Sequence, residues 1–432
     1  YYRAYATNSI GTGYGDELYF ATTLEGLGTG ADPYEISNLN DLRILSENSV
    51  YWDSYFIQIA DIDATDTQNW NNGAGFSPIG EDTFNPFNGD YDGAGFTIDG
   101  LFINRSNTNS IGLFGHTFGA SFFNLGVTNV DVTGSWFVGS LVGYNETSTV
   151  TNSYSTGSLS GNEYVGGLVG SNYYSSPNNN YSTCSVNGDA SIGGLVGFIT
   201  ESSVINSYSA GNVSGVERVG GLVGYSKNNS TITNCYSTGS VNGDASIGGL
   251  LGYNHSSSVN NCFWDIQTSG QYSSDGGTGK TTAEMQTEST FIDAGWDFTS
   301  IWSMDYFYGM GYPFFNWQDV APAGSVPLSP ENFQVVINTP DVYLSWDVVI
   351  ESTEGYAIIP DGYIIYYSED EENYYFLTIT NQTSFIHYAV TDFSSQMFYQ
   401  VVAIKVDDSR QLSYLQGLNN RKEKIRWNEV EE

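Results

Sequence analysis

Two glutamates, Glu163 and Glu217, are the first residues whose types and spacing could do chemistry. They occupy equivalent places in a recurring pattern, two periods apart, so stacked copies hold them about 10 Å apart. Glycoside hydrolysis uses a carboxylate pair at a set separation, and this gap is at or beyond the upper end of the inverting range. Ala190 lies between them and Ala245 beyond, which leaves no acidic groove. A polysaccharide lyase needs a calcium cluster and a basic residue, yet the repeats offer only Arg218 and Lys227, with Arg105 just before. The run Gly276-Gly-Thr-Gly-Lys-Thr-Thr282 invites a phosphate-loop reading, but Ser274 stands where that motif needs its first glycine, and no βαβ unit surrounds it. His116, His255 and His387 lie in different regions, so a histidine metal site or triad lacks parts. Asp61 and Asp63 end a strand, where hydration is the plain reading and Ca²⁺ the sharper one. Asp189 and Asp244 sit in ordinary Asn-Gly-Asp turns. The expectation is no catalytic residue, no metal site and no cofactor, with Ca²⁺ left open but unspecified.

A binding surface is better supported. Tyr154, Tyr181, Tyr208, Tyr236 and Phe263 recur at one spacing. Facing outward they form a flat stack able to hold sugar rings or another protein; facing inward they are core. The small neighbours Ser153, Ser207, Cys235 and Cys262 suit a narrow interior, which favours outward rings.

These aromatics belong to a repeat that must position them. Leucines 113, 141, 168, 195, 222 and 250 sit in "GLVG"-type phrases at steps of 28, 27, 27, 27 and 28. Asparagines 124, 152, 179, 206, 234 and 261 keep the same beat, as do the aliphatics Val138, Val165, Ile192, Val219 and Ile247. Glycines 134, 161, 188, 215 and 243 do so too, read as turns of positive φ. A fixed period of this length marks a stacked architecture. The segments are short, rich in Val, Ser, Thr and Tyr, and without helical apolar periodicity. The reading is a parallel β-solenoid of about 27-residue coils, right-handed as parallel crossovers are. Six coils at about 4.8 Å give a rod of roughly 29 Å. Aliphatics fill its core, and Asn124, Asn152, Asn179, Asn206, Asn234 and Asn261 form an amide ladder.

Composition agrees. Charged residues are 14% of the 432, while glycine numbers 50 and tyrosine 33. A net charge of −36, with Lys and Arg totalling 12, argues against nucleic acid and against anionic lipid. The acidic run Glu369, Asp370, Glu371 and Glu372 reads as a solvated loop. Three cysteines exclude a dense disulfide framework. Cys235 and Cys262 share a column in adjacent coils, about 5 Å apart, as two buried thiols or a disulfide. No signal peptide, membrane span or direct membrane insertion is visible in the sequence.

In chain order, 1–8 and 17–22 read as two strands around a glycine-rich turn at 11–15. Residues 24–104 form the lead-in and N-terminal cap, with a helix at 39–47, a strand at 56–62, a turn at 89–93 and a first full coil at 96–103. The repeats occupy 105–264. An aromatic-rich C-terminal cap spans 265–318, with a helix at 281–291 and Trp296, Trp302, Phe314, Phe315 and Trp317 packed on the last coil. A linker at 319–330 follows. Strands at 333–337, 342–346, 363–367, 374–379, 385–388, 398–404 and 412–415 then suggest a sandwich within 331–418, before a charged tail at 419–432.

Phrases such as "VGGLVGYS" (219–226) and "NCYSTGSVNG" (234–243) resemble the GLUG repeat of bacterial surface proteins, including filamentous-haemagglutinin-type adhesins and some IgA-peptidase relatives. The resemblance covers about a third of the chain and implies an extracellular β-solenoid without catalytic residues. Trp346 and Tyr399-Gln-Val-Val-Ala403 resemble the core tryptophan and tyrosine corner of a fibronectin type III domain, and 1–23 looks like the last strands of another. Either the chain is a piece of a longer protein, or that open edge accepts a strand from a neighbour. The expected function is an extracellular, cell-surface structural or adhesive protein. It would self-associate into a fibre, act as a stalk binding glycans or cells, or both. The alternative from another class is a polysaccharide-processing β-helix enzyme, lyase or hydrolase.

Overall fold

The computed structural model describes residues 5–8, 11–14, 23–304, 311–318, and most of 330–349, 362–368, 375–388 and 398–404. The chain divides into two compact units, Tyr1–Trp296 and Asp297–Glu432. The boundary falls inside the aromatic-rich 265–318 segment.

In the first unit the repeats stack in register. Leu141 N donates to Leu168 O, Leu168 N to Leu195 O, Leu195 N to Leu222 O, and Leu222 N to Leu250 O, at 2.8–3.1 Å. All five leucines, and Leu113 before them, are wholly buried. Each coil contributes strands to three parallel faces. One carries Phe114–Phe118, Val142–Glu146, Val169–Tyr173, Val196–Thr200, Val223–Lys227 and Leu251–His255 in a six-stranded sheet. A second runs through Thr97–Asp99, Gly126–Thr133, Tyr154–Gly166 and their successors. The third carries Ser121–Phe123 and Thr149–Thr151, and reaches Ser203–Ile205 through the bridging residue Asn178.

The glycine pair of each phrase lets the coils close. A Cβ on Gly194 would lie 2.1 Å from Ser209 Oγ and 2.2 Å from Gly221 O, so only glycine fits there. Glycines 134, 161, 188, 215 and 243 do not take positive φ, contrary to expectation. They make room instead: a Cβ on Gly161 would meet Val138 and Val165 methyls at 2.9 and 3.0 Å. Positive φ falls on non-glycine columns. One is Asn124, Asn152, Asn179, Asn206, Asn234 and Asn261 at φ 44–57°; the other is Phe137, Tyr164, Ser191, Arg218 and Ser246 at φ 51–60°. Asparagine tolerates that region through its short polar side chain, whereas aromatic residues there are uncommon.

Stacking begins earlier than the first coil read from the sequence. Tyr34–Ile36, Tyr55–Gln58 and Asp90–Asp92 already pair in parallel on the third face. The 89–93 segment is therefore a strand, not a turn. Tyr91 points inward and is wholly buried between outward-facing Asp90 and Asp92, an alternation that its Gly and Asp content hides. The helix Leu39–Glu47 lies where expected. Asn38 caps it by accepting from the N–H groups of Asn40 and Asp41, and Leu42, Ile44 and Leu45 are buried.

Beyond the last coil the 281–291 helix is two, Thr282–Met285 and Glu288–Ile292. The first opens on a reciprocal Thr281–Glu284 capping box. On the six-stranded face the edge of the last coil is closed by side chains: Ser274 Oγ accepts from Leu250 N and Leu251 N, and Asp275 Oδ2 from Asn254 N. At the N-terminal end Tyr5–Asn8 pairs antiparallel with Gly11–Tyr14. The glycine-rich stretch is thus mostly strand, and its expected partner at 17–22 lies outside the described residues.

In the second unit Trp302 stacks on Phe315, and Phe315 on Trp317, at 4.4 and 5.2 Å. Two antiparallel three-stranded sheets follow. One contains Gln334–Asn338, Asp341–Ser345 and Ser384–His387; the other contains Gly362–Ser368, Tyr375–Thr380 and Phe398–Ile404. They share a core of Val342, Leu344, Trp346, Val349, Tyr363 and Ile365. The hydroxyl of Tyr399, placed at a tyrosine corner by sequence, pairs with His387 Nδ1 at 2.9 Å. The seventh strand at 412–415, the acidic run, most of the linker and the charged tail lie outside the described residues.

Candidate functional site

Tyr154, Tyr181, Tyr208, Tyr236 and Phe263 face one another on successive strands. The four tyrosine rings stack at 4.8, 5.0 and 4.8 Å, with planes within 8°. The following serines, Ser155, Ser182, Ser209 and Ser237, are wholly buried, so the alternation turns the rings out of the core. Out of the core does not mean open. Phe291 and Trp296 pack against Tyr236 at 6.3 and 6.2 Å and against Phe263 at 5.5 and 6.2 Å. Trp296 Nε1 also donates to Asn261 O. Tyr208, Tyr236 and Phe263 are 3–7% exposed, and only Tyr154 and Tyr181 stay half-buried. As a surface the predicted ladder is therefore reduced to its first two rings.

The asparagine column bonds vertically. Asn152 donates to Asn124, Asn179 to Asn152, Asn234 to Asn206 and Asn261 to Asn234, at 3.2–3.4 Å. The run breaks once, where Asn206 donates to Asn178 rather than Asn179. Two inward polar ladders escaped the sequence reading. In one, Ser175 Oγ accepts from Ser148 N, Ser202 Oγ from Ser175 N, and Ser230 Oγ from Ser202 N. In the other, the residue after each asparagine does the same: Asn180 Oδ1 accepts from Ser153 N, Ser207 Oγ from Asn180 N, and Cys262 Sγ from Cys235 N. Cys235 and Cys262 are thus members of a hydrogen-bonding column. They are free buried thiols, not a disulfide. Each thiol also donates within the stack, Cys235 to Thr233 O and Cys262 to Asn260 O, which a bridge would forfeit. Burial pushes the Cys235 thiol well above its ordinary pKa.

The carboxylates singled out for hydrolysis are tied together. Glu163 and Glu217 face Ala190 from coils on either side, and Arg218 reaches both, at 3.4 and 3.6 Å. Asp61 accepts from the Thr97 N–H and hydroxyl, and Asp63 from those of Thr65. Thr278–Lys280 is a strand paired with Phe263–Asp265, and Lys280 pairs with Glu284 at 3.6 Å, so no phosphate cradle forms. His116 is buried against Tyr144 and 3.5 Å from Glu146; burial lowers its pKa despite that carboxylate.

A second aromatic array lies on the six-stranded face and its preceding corner. Tyr144, Phe198, Tyr225 and Tyr253 come from the strands, and Phe137 and Tyr164 from the positive-φ corner. Neither column is aromatic throughout: the strand column has Ser171, the corner has Ser191 and Ser246. The gaps interlock. His116 meets Tyr144 at 4.7 Å, Tyr144 meets Phe137 at 5.0 Å, and Phe137 stacks on Tyr164 at 5.1 Å and 7°. Tyr164 then meets Phe198, Phe198 meets Tyr225, and Tyr225 meets Tyr253, at 5.0, 5.2 and 5.3 Å. Every coil of the stack contributes a ring to this unbroken strip. Its rings are half-buried beyond His116, rising to 39% exposure at Tyr253. Arg218 lies over Tyr225 at 5.3 Å and Lys227 over Phe198 at 5.2 Å. No single-column periodicity marks this strip, which is why the sequence reading passed over it.

The GLUG motif matches residues 134–160 and 215–242. Halomucin of Haloquadratum walsbyi is 34% identical over 149 residues, which is 34% of this chain and 2% of halomucin. A protein of Evansella cellulosilytica described as a Gly-rich membrane protein is 48% identical over 50 residues, 12% of this chain and 6% of that one. This chain therefore spans a small part of the relatives it matches. Among solved structures, an IgA1 protease aligns over 87% of this chain and 35% of its own, with a TM-score of 0.45 and 14% identity. Among the described residues no helix is long and apolar enough to cross a membrane.

Proposed function

We propose that this chain is a segment of a surface-associated, extracellular protein, in which the GLUG-repeat solenoid is a stiff stalk presenting a contact surface to glycans or cells. The observation that carries the reading is the in-register file of Leu141, Leu168, Leu195, Leu222 and Leu250. Side chains repeat above it at one-coil intervals, giving an extended array rather than a cleft. Repeats shared with halomucin and with a protein described as a membrane protein fit the same setting. The two sheets of the second unit, read as a fibronectin type III-like sandwich, are the spacer.

The two modes of association separate on chemistry. The helix Leu39–Glu47 buries its apolar face before the first coil, and Ser274 and Asp275 close the six-stranded face at the last coil. Head-to-tail growth by strand pairing is thereby disfavoured along that face. The polysaccharide-processing alternative loses its carboxylate pair to Arg218.

Immunogold labelling of intact cells of the organism that encodes the chain tests the reading. The expected result is label on the outer surface; label confined to the cytosol would overturn it.

A further inference from the structure

The geometry points to the zigzag aromatic strip, rather than the tyrosine ladder, as a binding site for an extended, uncharged, β-linked polysaccharide lying along the solenoid axis. This deepens the proposed contact with glycans and rests on that reading for its biological setting, but not for the binding itself.

Four observations meet here. The strip supplies rings at a rise of about 4.8 Å per coil, and consecutive ring contacts stay within 4.7–5.3 Å from His116 to Tyr253. A chain of pyranoses whose linkages keep it extended can run along such a strip, which steps between its two columns as it climbs. The negative face of an aromatic ring attracts the weakly positive C–H face of a sugar, and the rings beyond His116 keep partial exposure along the whole strip, whereas the other ladder keeps it only at Tyr154 and Tyr181.

Polar groups stand beside the rings in fixed positions. Arg218 is held by Glu163 and Glu217 and lies over Tyr225. Lys227 lies over Phe198. Of the three basic residues in 105–264, two therefore lie on this strip. Together they set donors and acceptors of both signs next to an apolar platform, which suits vicinal hydroxyls. The local charges largely cancel, while the whole chain at −36 repels a polyanion. Uronates and sulfated glycans are therefore disfavoured and a neutral chain is selected.

Backbone strain adds to the case. Phe137 and Tyr164 sit at φ 59° in a corner column that other coils fill with Ser191 and Ser246. Bulky residues are uncommon in that region and tend to persist where they serve a site. Tyr164 falls in the coil whose strand column has Ser171 in place of a ring.

Calorimetric titration of the full chain with cellohexaose, mannohexaose and chitohexaose tests the inference. Maltoheptaose serves as a bent control and hexagalacturonate as a charged one. At least one of the three β-linked probes should bind, with hexagalacturonate and maltoheptaose at least ~5-fold weaker. Tyr164→Ala, Arg218→Gln and Tyr253→Ala should each weaken binding by roughly 5–10-fold, with Tyr181→Ala unchanged. Should Tyr164→Ala lower the melting temperature, Tyr253→Ala at the exposed end decides. No binding of any β-linked probe, binding that survives Tyr253→Ala and Arg218→Gln, or equal binding of hexagalacturonate would overturn the assignment. Surface labelling would still stand in each case, so the two readings fail separately.

Discussion

The two aromatic arrays of the solenoid differ in what made them visible. Tyr154, Tyr181, Tyr208 and Tyr236 form one column, nearly parallel, and any reader counting in steps of 27 or 28 finds them. The zigzag strip draws on two columns, neither of them regular, and becomes continuous only when the coil brings the corner and the strand together. The regular column is covered at one end, where Phe291 and Trp296 pack on Tyr236 and Phe263. The irregular strip keeps its exposure. Periodicity in a stacked fold reports what supports the stack. A surface selected to touch something else is free to vary from coil to coil.

The sharpest way to break the comparison is in the stack itself. Gly194→Ala places a methyl group 2.1–2.2 Å from Ser209 Oγ and the Gly221 carbonyl, and should remove roughly 3 kcal/mol or more. Leu195→Ala, wholly buried, should cost about 2–5 kcal/mol. Both are read by urea unfolding of the chain. Trp296→Ala, which uncovers Phe263, should cost about 3 kcal/mol. If it costs nothing, the covered ladder is an ordinary exposed stack and the contrast between the arrays disappears.

Asn206 separates two contributions in the asparagine column. At φ 44°, Asn206→Ala should lose about 1–2 kcal/mol, while Asn206→Gly should recover most of it. Equal losses would mean that the amide contacts, not the backbone conformation, fix asparagine there. Cys235→Ser should change stability by less than about 1 kcal/mol, since Ser153 and Ser207 hold the same column. The unsubstituted chain should give a thiol count of three once unfolded, with little reaction before unfolding.

A smaller effect distinguishes folded from unfolded protonation. Burial holds His116 and His387 below the ordinary histidine pKa. The unfolded chain therefore binds more protons once pH drops through about 6.5. Their contribution to stability is complete above that point and is lost as pH falls below it. His387→Gln should flatten the slope of the second unit's melting temperature between about pH 6.5 and 5; an unchanged slope would place the titration elsewhere.

How much was legible follows from the same physics. The parallel stack, its period and its leucine file were readable because identical side chains must meet vertically at every step. The helix Leu39–Glu47 carried its apolar face in the sequence. The strand Asp90–Asp92 was not legible, because its one apolar residue sits between acids and glycines. The role of Gly161 was misread because crowding by Val138 and Val165, rather than its own φ, excludes a side chain. The Ser148–Ser230 ladder and the zigzag strip depend on contacts between coils, which composition and spacing along one coil do not encode.

Spin-label distances along one outward column test the central claim most directly. Ser135, Asn162, Asp189, Val216 and Asp244 occupy equivalent corner positions in consecutive coils, just before the paired positions Trp136, Glu163, Ala190, Glu217 and Ala245. With the native thiols replaced by serine, the 135–189 pair should lie two coil rises apart, about 10 Å, and the 135–244 pair four, about 19 Å. Distances that grow in proportion to coil number confirm a single vertical stack. A 135–244 distance no longer than the 135–189 distance would contradict it, and with it the strip that the stack assembles.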